Sequence, residues 1–454
     1  MNLLIKNGRI IDPSQDIDGT GEILIKDGKI EKLIIAGKRR SGEAAKKTAR
    51  KSARAQERKG KLASLRAYEL TNLRTIDASG CIVIPGLVDM HTHLREPGFE
   101  YKETIMTGTR AAVRGGFTTV CCMPNTNPVN DTIAVTSFII EKARNEGSCT
   151  VYPIGAITKA QKNQELAEIE ALKREGCIAF SDDGKPVTNS LIMRRALEYS
   201  KIFDVPIIAH CEDIYLSEGG VMNEGFVSTI LGLKGIPKAS EEVMVARDIA
   251  LSELTGGRLH VAHVSTEGSV ALIRDAKSRG IPVTAETCPH YFTLTDDSLK
   301  SYDTNFKVNP PLRTEQDVEA IKQGLKDNTI DVIATDHAPH HIDDKTKEFD
   351  SAAFGISGLE TAFPLSLKLV EQEVINLKQL IMKMAIMPSI IMGIEKGSLS
   401  EGADADITII NLGKNFKVDV SGFLSKGKNS PFHGWPLKGF VEKTIAAGKL
   451  YEWK

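Results

Sequence analysis

No stretch of this sequence approaches the roughly 18–20 uninterrupted apolar residues that a membrane helix requires, and its first residues lack the charged, apolar and small-residue blocks of a signal peptide. A Cys-x-x-Cys pair is missing too: the seven cysteines are odd in number and scattered, with only Cys121 and Cys122 adjacent. That argues against a disulfide framework and against a thiolate zinc site, and the expectation is a cytoplasmic protein. Net charge is nearly absent, at −1, but the balance conceals an asymmetry. Residues 38–66 hold twelve Lys/Arg against two Glu, a local +10, which leaves −11 for the remainder. No aromatic or glycine-rich recognition pattern accompanies that basic run, so nucleic acid is not the expected partner. The run reads as a solvated insertion, because long surface loops add little closure entropy.

The 454 residues suffice for one large domain or two ordinary ones. Residues 1–37 alternate short apolar runs with Asn7-Gly8 and Asp27-Gly28, both hairpin signals. The sheet they predict is too small to stand alone. Residues 38–75 break the pattern with Ala, Lys and Arg. Strands then alternate with helices: after the run at 82–88 come strands at 118–123, 151–155, 178–180, 207–209, 259–264, 283–286 and 331–334. Eight strands in that rhythm predict an α/β fold, a TIM-type (β/α)8 barrel, over residues 86–395. The strand-rich finish, 396–454, is expected to join 1–37 and 76–85 in a small β-sandwich domain built from both chain ends.

In such a barrel, catalytic residues lie at the C-terminal strand ends. Those ends carry His91 and His93, the Asp182-Asp183 pair, His210, His263 and Asp336. Alternation puts His91 and His93 on one side of their strand and opposes His260 to His263. His341 and His433 fall in polar or turn segments, and His290 is undecided. Four imidazoles and at least two carboxylates on one rim suit hard to borderline divalent metals, zinc above all. Six ligands are too many for one tetrahedral ion and suit two, an arrangement that activates water and polarises a carbonyl together. The reaction class is metal-assisted amide hydrolysis, with Asp336 as proton shuttle.

Two stretches carry a resemblance. Pro85-Gly86-Leu87-Val88-Asp89-Met90-His91-Thr92-His93-Leu94-Arg95-Glu96-Pro97-Gly98, and Ala334-Thr335-Asp336-His337-Ala338-Pro339-His340 followed by Lys345, resemble the two signatures of the bacterial class I dihydroorotase family, in the amidohydrolase superfamily. Met123-Pro124-Asn125-Thr126, Ser181-Asp182-Asp183-Gly184 and Lys428-Asn429-Ser430-Pro431-Phe432 extend it along the chain, the basic insertion excepted. Thr92 departs from the aliphatic residue usual there. The resemblance implies two Zn2+ per subunit: His91, His93 and Asp336 on one, His210 and His263 on the other, and Asp183 rather than Asp182 bridging them. It also implies a substrate carboxylate held by Arg95 with Asn125 and His340, near His93, and a ring contacted by Asn309, Phe354 and Gly355. On their own, Asn125 and Asn309 beside proline read as turn chemistry.

The implied activity is the zinc-dependent, reversible cyclisation of N-carbamoyl-L-aspartate to (S)-dihydroorotate in pyrimidine synthesis. A planar guanidinium suits such a carboxylate, which it binds with two parallel hydrogen bonds. Competing readings are another cyclic amidohydrolase, an allantoinase or hydantoinase, and a non-catalytic subunit that scaffolds aspartate transcarbamoylase. Retention of every expected ligand argues against the scaffold. A homodimer and an association with aspartate transcarbamoylase both stay open.

Overall fold

The computed structural model describes residues 2–36 and 73–453. The expected basic insertion therefore lies outside the described residues up to residue 72. Alternating apolar residues build an antiparallel meander of β1 (Leu3–Asp12), β2 (Ile17–Lys26) and β3 (Lys29–Ile35). Asp27 and Gly28, at φ 50° and 79°, turn β2 into β3, as Asp-Gly pairs do in tight hairpins. Asn7-Gly8 makes no hairpin. The β1–β2 register shifts between Ile5 and Gly8, so this pair is a bulge within one long strand. There β1 changes its parallel partner, from β4 (Arg74–Asp77) to β5 (Ile82–Pro85).

Eight parallel strands follow: β6 (Leu87–Thr92), β7 (Phe117–Cys122), β8 (Thr150–Pro153), β9 (Phe180–Ser181) and β10 (Ile207–Ala209), then β13 (Leu259–Val261), β14 (Val283–Thr287) and β15 (Val332–Ile333). A short parallel pair, β11 (Met222–Asn223) and β12 (Gly235–Ile236), lies in the connection after β10. Ladders run β6-β7-β8 and β9-β10-β13-β14-β15, and single bridges close the ring, Gly155 to Phe180 and Thr92 to His337. Inside the ring, Met90, Cys121, Ile154, Ile208, Ala262 and Val332 meet Ile391 and Met392 in a closed apolar plug. The barrel is thus a packed core with chemistry confined to its rim.

The chain ends with β16 (Ile407–Lys417), β17 (Pro436–Ala446) and β18 (Lys449–Glu452), which join the opening meander through β5 in one eight-stranded sheet. Val83 of β5 enters the sheet's own core with Ile5, Ile23 and Ile409, whereas Ile82 and Ile84 enter the barrel's core. Period-2 alternation therefore lets one strand serve two cores. Thr408 and Thr444 complete the joint by donating hydroxyls to the carbonyls of Gly116 and Val113, at 2.6 and 2.7 Å. Among the described residues no helix is long and apolar enough to cross a membrane.

Candidate active site and metal centre

Strict alternation would send Met90 and His91 to opposite faces, yet Met90 lies in the barrel plug and His91 meets Asp183, Glu286 and Asp336 at its centre. The register shift between Asp89 and Thr92 permits both, a bulge re-aiming a side chain beside a site. Asp89 secures this strand end: its Oδ1 accepts from the backbone N–H groups of His91 and Thr335, at 3.1 and 3.2 Å, and its Oδ2 accepts the Thr335 hydroxyl. Three site residues sit at positive φ, Arg95 at 64°, His263 at 33° and Asp336 at 45°. Such strain gathers where geometry is over-determined.

The six expected ligands converge. Asp183 Oδ1 is 3.4 Å from His91 Nε2 and from His263 Nε2, and 3.5 Å from His210 Nδ1; Asp183 Oδ2 is 3.4 Å from His93 Nε2. Asp336 Oδ1 lies 3.0 Å from His93 Nε2 and 3.5 Å from His91 Nε2. Two donor groups result, His91–His93–Asp183 and Asp183–His210–His263, sharing one carboxylate. Asp182 points away: it accepts from the backbone N–H of Ile157 and Thr158 and from the Thr158 hydroxyl.

The outer nitrogens fix which lone pairs face the centre. His91 Nδ1 donates to Glu286 at 2.5 Å, His93 Nδ1 to Asn125 Oδ1 at 2.9 Å, and His210 Nε2 to Glu212 at 2.9 Å. The inward nitrogens of neutral rings are then acceptors aimed at an acceptor carboxylate. His91 Nε2 and Asp183 Oδ1 are both sealed from solvent, and neither has a hydrogen-bond partner among the described residues. Acceptors meeting acceptors in a dry centre need positive charge between them, so these residues fit a cation of the imidazole- and carboxylate-loving kind. In the protein alone a proton supplies it. Burial opposes charge on His91, but Asp183 and Glu286 outweigh it and hold the imidazole well above the ordinary histidine range. His210 is pushed up to about 10 against its burial by Asp183 and Glu212, and Glu212 is held at about 2 against its own burial by His210.

Glu286, Glu212 and the Asn125 amide thus orient the rings from outside. Glu286→Gln is expected to weaken retention of a divalent metal by about 10–100-fold, read by competition with a chromophoric chelator. Unchanged retention would refute that orienting task. A carboxylate closing an apolar barrel strand was the available signal for Glu286, and Glu212 stands two residues after His210. His260 is not turned away from the centre as alternation suggested. Its Nδ1 meets Thr284 Oγ1 at 2.8 Å and its Nε2 lies 3.4 Å from Glu286, because β13 ends at Val261 and the left-handed His263 re-enters by a turn. His290 is buried, and its Nε2 lacks a hydrogen-bond partner among the described residues. His341 and His433 accept backbone N–H groups of Asp343 and Val420 in exposed turns.

Beside the imidazoles runs a cationic edge. β6 ends at Thr92, so Arg95 arrives by its left-handed turn and not by strand alternation. Arg95 Nε donates to Pro339 O at 3.2 Å, and among the described residues no carboxylate lies within ion-pair distance of this guanidinium. Burial pushes it down to about 10, so it stays charged at neutral pH. His340 Nδ1 accepts from Lys102 at 3.3 Å and its Nε2 donates to Phe354 O at 2.8 Å. Arg95 Nη2, 3.3 Å from that same Nε2, therefore faces a donor and keeps its own hydrogens free. Burial, then Arg95 and Lys102, push His340 down to about 2, leaving a neutral ring. Asn309 Nδ2 donates to Glu212 at 2.9 Å, and Asn429 Nδ2 to Gly355 O at 2.9 Å, which ties the remaining expected contacts to the same rim.

Residues 80–269 match the family model described as Dihydro-orotase-like. The chain is 54% identical over 450 residues to the dihydroorotase of Geobacter metallireducens, covering 99% of each, and 53% identical over 449 residues to that of Acetivibrio thermocellus, covering 99% and 98%. Among solved structures it resembles the L-hydantoinase (dihydropyrimidinase) of Arthrobacter aurescens, with 26% identity, TM-score 0.83, and 100% and 96% of the chains covered. The dihydropyrimidinase of Brevibacillus agri, 22% identical with TM-score 0.81 over 99% and 95%, shares the fold.

Proposed function

The chain belongs to the dihydroorotase family, and from that premise we propose what its site does and the task of each residue. It is a metal-dependent cyclic amide hydrolase. Its reaction is the reversible closure of N-carbamoyl-L-aspartate to (S)-dihydroorotate and water in pyrimidine biosynthesis. One observation carries the reading: two acceptor-rich donor groups sharing Asp183 stand beside an arginine that, among the described residues, has no carboxylate within ion-pair distance.

His91, His93 and Asp336 would hold one zinc ion, His210 and His263 a second, and Asp183 both. Bound there, the ions would make water a nucleophile at neutral pH and polarise the ring carbonyl. The chain's own residues do the rest. Asp336, at 3.0 Å from His93 Nε2, takes the proton of the attacking water at its carboxylate and returns it to the ring nitrogen as the C–N bond breaks. Cyclisation runs the same transfers backwards. Arg95 grips the substrate carboxylate, with the neutral His340 beside it. Asn125 gives its oxygen to His93 and keeps its amide N–H for the substrate. Asn309 gives its amide to Glu212 and keeps its oxygen for a ring N–H, and the backbone at Phe354 and Gly355 borders the ring.

With zinc supplied, the purified chain is expected to open dihydroorotate far faster than hydantoin or allantoin. Exhaustive chelation should abolish turnover, and added zinc should restore it. Opening of a hydantoin without dihydroorotate turnover would overturn the substrate assignment. Absence of both metal and turnover after gentle purification would favour a scaffold. We place the protein in the cytoplasm, where its seven free cysteines stay reduced. Assembly with a second copy or with aspartate transcarbamoylase is read by sedimentation of the chain alone and mixed with that enzyme.

A further inference from the structure

Lys345 closes the second motif, yet neither the metal donors nor the substrate edge uses it. It ends the short helix Ile342–Lys345 and is buried, and among the described residues no carboxylate lies within ion-pair distance of its ammonium. Instead Nζ lies 2.8 Å from Ala353 O, 3.3 Å from Gly355 O and 3.4 Å from Lys307 O, three acceptors for three donors. Lys307, also buried, donates to Phe349 O at 2.7 Å and Asp350 O at 2.9 Å, with its ammonium 4.5 Å from the Phe354 ring centre. Two ammonium groups therefore fasten the carbonyls of residues 349, 350, 353 and 355. The intervening carbonyl, Phe354 O, is turned to His340 Nε2. Gly355 N–H in turn donates to Lys307 O at 2.9 Å.

Burying a charge without a counter-charge is costly. Burial, then Lys307, push Lys345 down to about 7, and burial pushes Lys307 to about 8. With no carboxylate partner among the described residues, what the ammonium contributes is the direction of the carbonyls it gathers. We propose that Lys345, supported by Lys307, is a positioning residue for substrate binding: by holding Ala353 and Gly355 it fixes the Phe354 carbonyl on His340, and so sets the imidazole beside Arg95. The inference rests on the reading that the Arg95–His340–Phe354 edge receives the substrate carboxylate.

Lys345→Met, loaded with zinc, is the test, with KM and kcat for dihydroorotate measured separately and metal content and thermal unfolding recorded. The expected result is a rise in KM of about tenfold or more, with kcat within about threefold and metal content unchanged. Lys345→Arg, which keeps the charge and several donors, should recover part of that KM. An unchanged KM in folded Lys345→Met, or a fall in kcat with loss of metal, would overturn the proposal. Should that variant not fold, Lys307→Met, which removes the bonds to Phe349 and Asp350, carries the same expectation. Arg95→Met runs in parallel. If it leaves KM unaltered, the reading of the edge has failed; if it raises KM while the lysine variants do not, only the clamp has.

Discussion

Replacing Asp336 with asparagine is expected to lower dihydroorotate turnover by about 10²- to 10⁴-fold, the usual yield of a positioned proton shuttle. Asparagine is the informative substitute for two reasons. It keeps the volume and one oxygen, and it tolerates the left-handed backbone that Asp336 adopts at φ 45°. Alanine would add strain to the loss of chemistry. Against its burial, Asp336 is held below the usual carboxylate range by His91 and His93, and the amide cannot take up a proton in their company. Because Asp336 is also a proposed ligand, zinc is counted on both proteins. A large loss at equal metal content assigns the proton to Asp336. Equal turnover at equal metal content would remove it from the shuttle role.

The barrel was legible because its strands are short apolar runs between helical stretches, and strand ends are where such a fold keeps its chemistry. Alternation paired His91 with His93 correctly but would have misplaced Met90 and His260. His91 faces the centre beside Met90 through a bulge, Arg95 and His263 turn in through left-handed residues, and Asn7-Gly8 bends one strand where a hairpin was expected. Each is a local backbone choice that a period-2 pattern cannot encode. The partners around the site were harder still. Glu286 reaches His91 across the barrel, and Glu103 holds Ser425 and, at 3.5 Å, His337 from two distant segments. Those contacts exist only once the ring has closed, so no spacing along the chain announces them.

Arg95→Met is expected to lower kcat/KM for dihydroorotate by about two to three orders of magnitude, within the roughly 2–5 kcal/mol lost when one partner of a desolvated ion pair is truncated. Methionine retains the stem and removes the fork. Lysine is not an equivalent replacement, since a single ammonium cannot make two parallel bonds to a carboxylate. The reference substrate makes the result specific. A hydantoin ring carries no carboxylate for Arg95 to bind, so any slow opening of it should be unaffected by Arg95→Met. The ratio of the two rates should therefore fall by the full amount. The fold is shared with hydantoinase neighbours; the guanidinium beside the donor set, with no carboxylate within ion-pair distance among the described residues, is what asks for an acidic ring. If both substrates lose rate together, Arg95 is holding the loop through Pro339 O and not the substrate. If only dihydroorotate does, the residue two places beyond His93 selects the reaction.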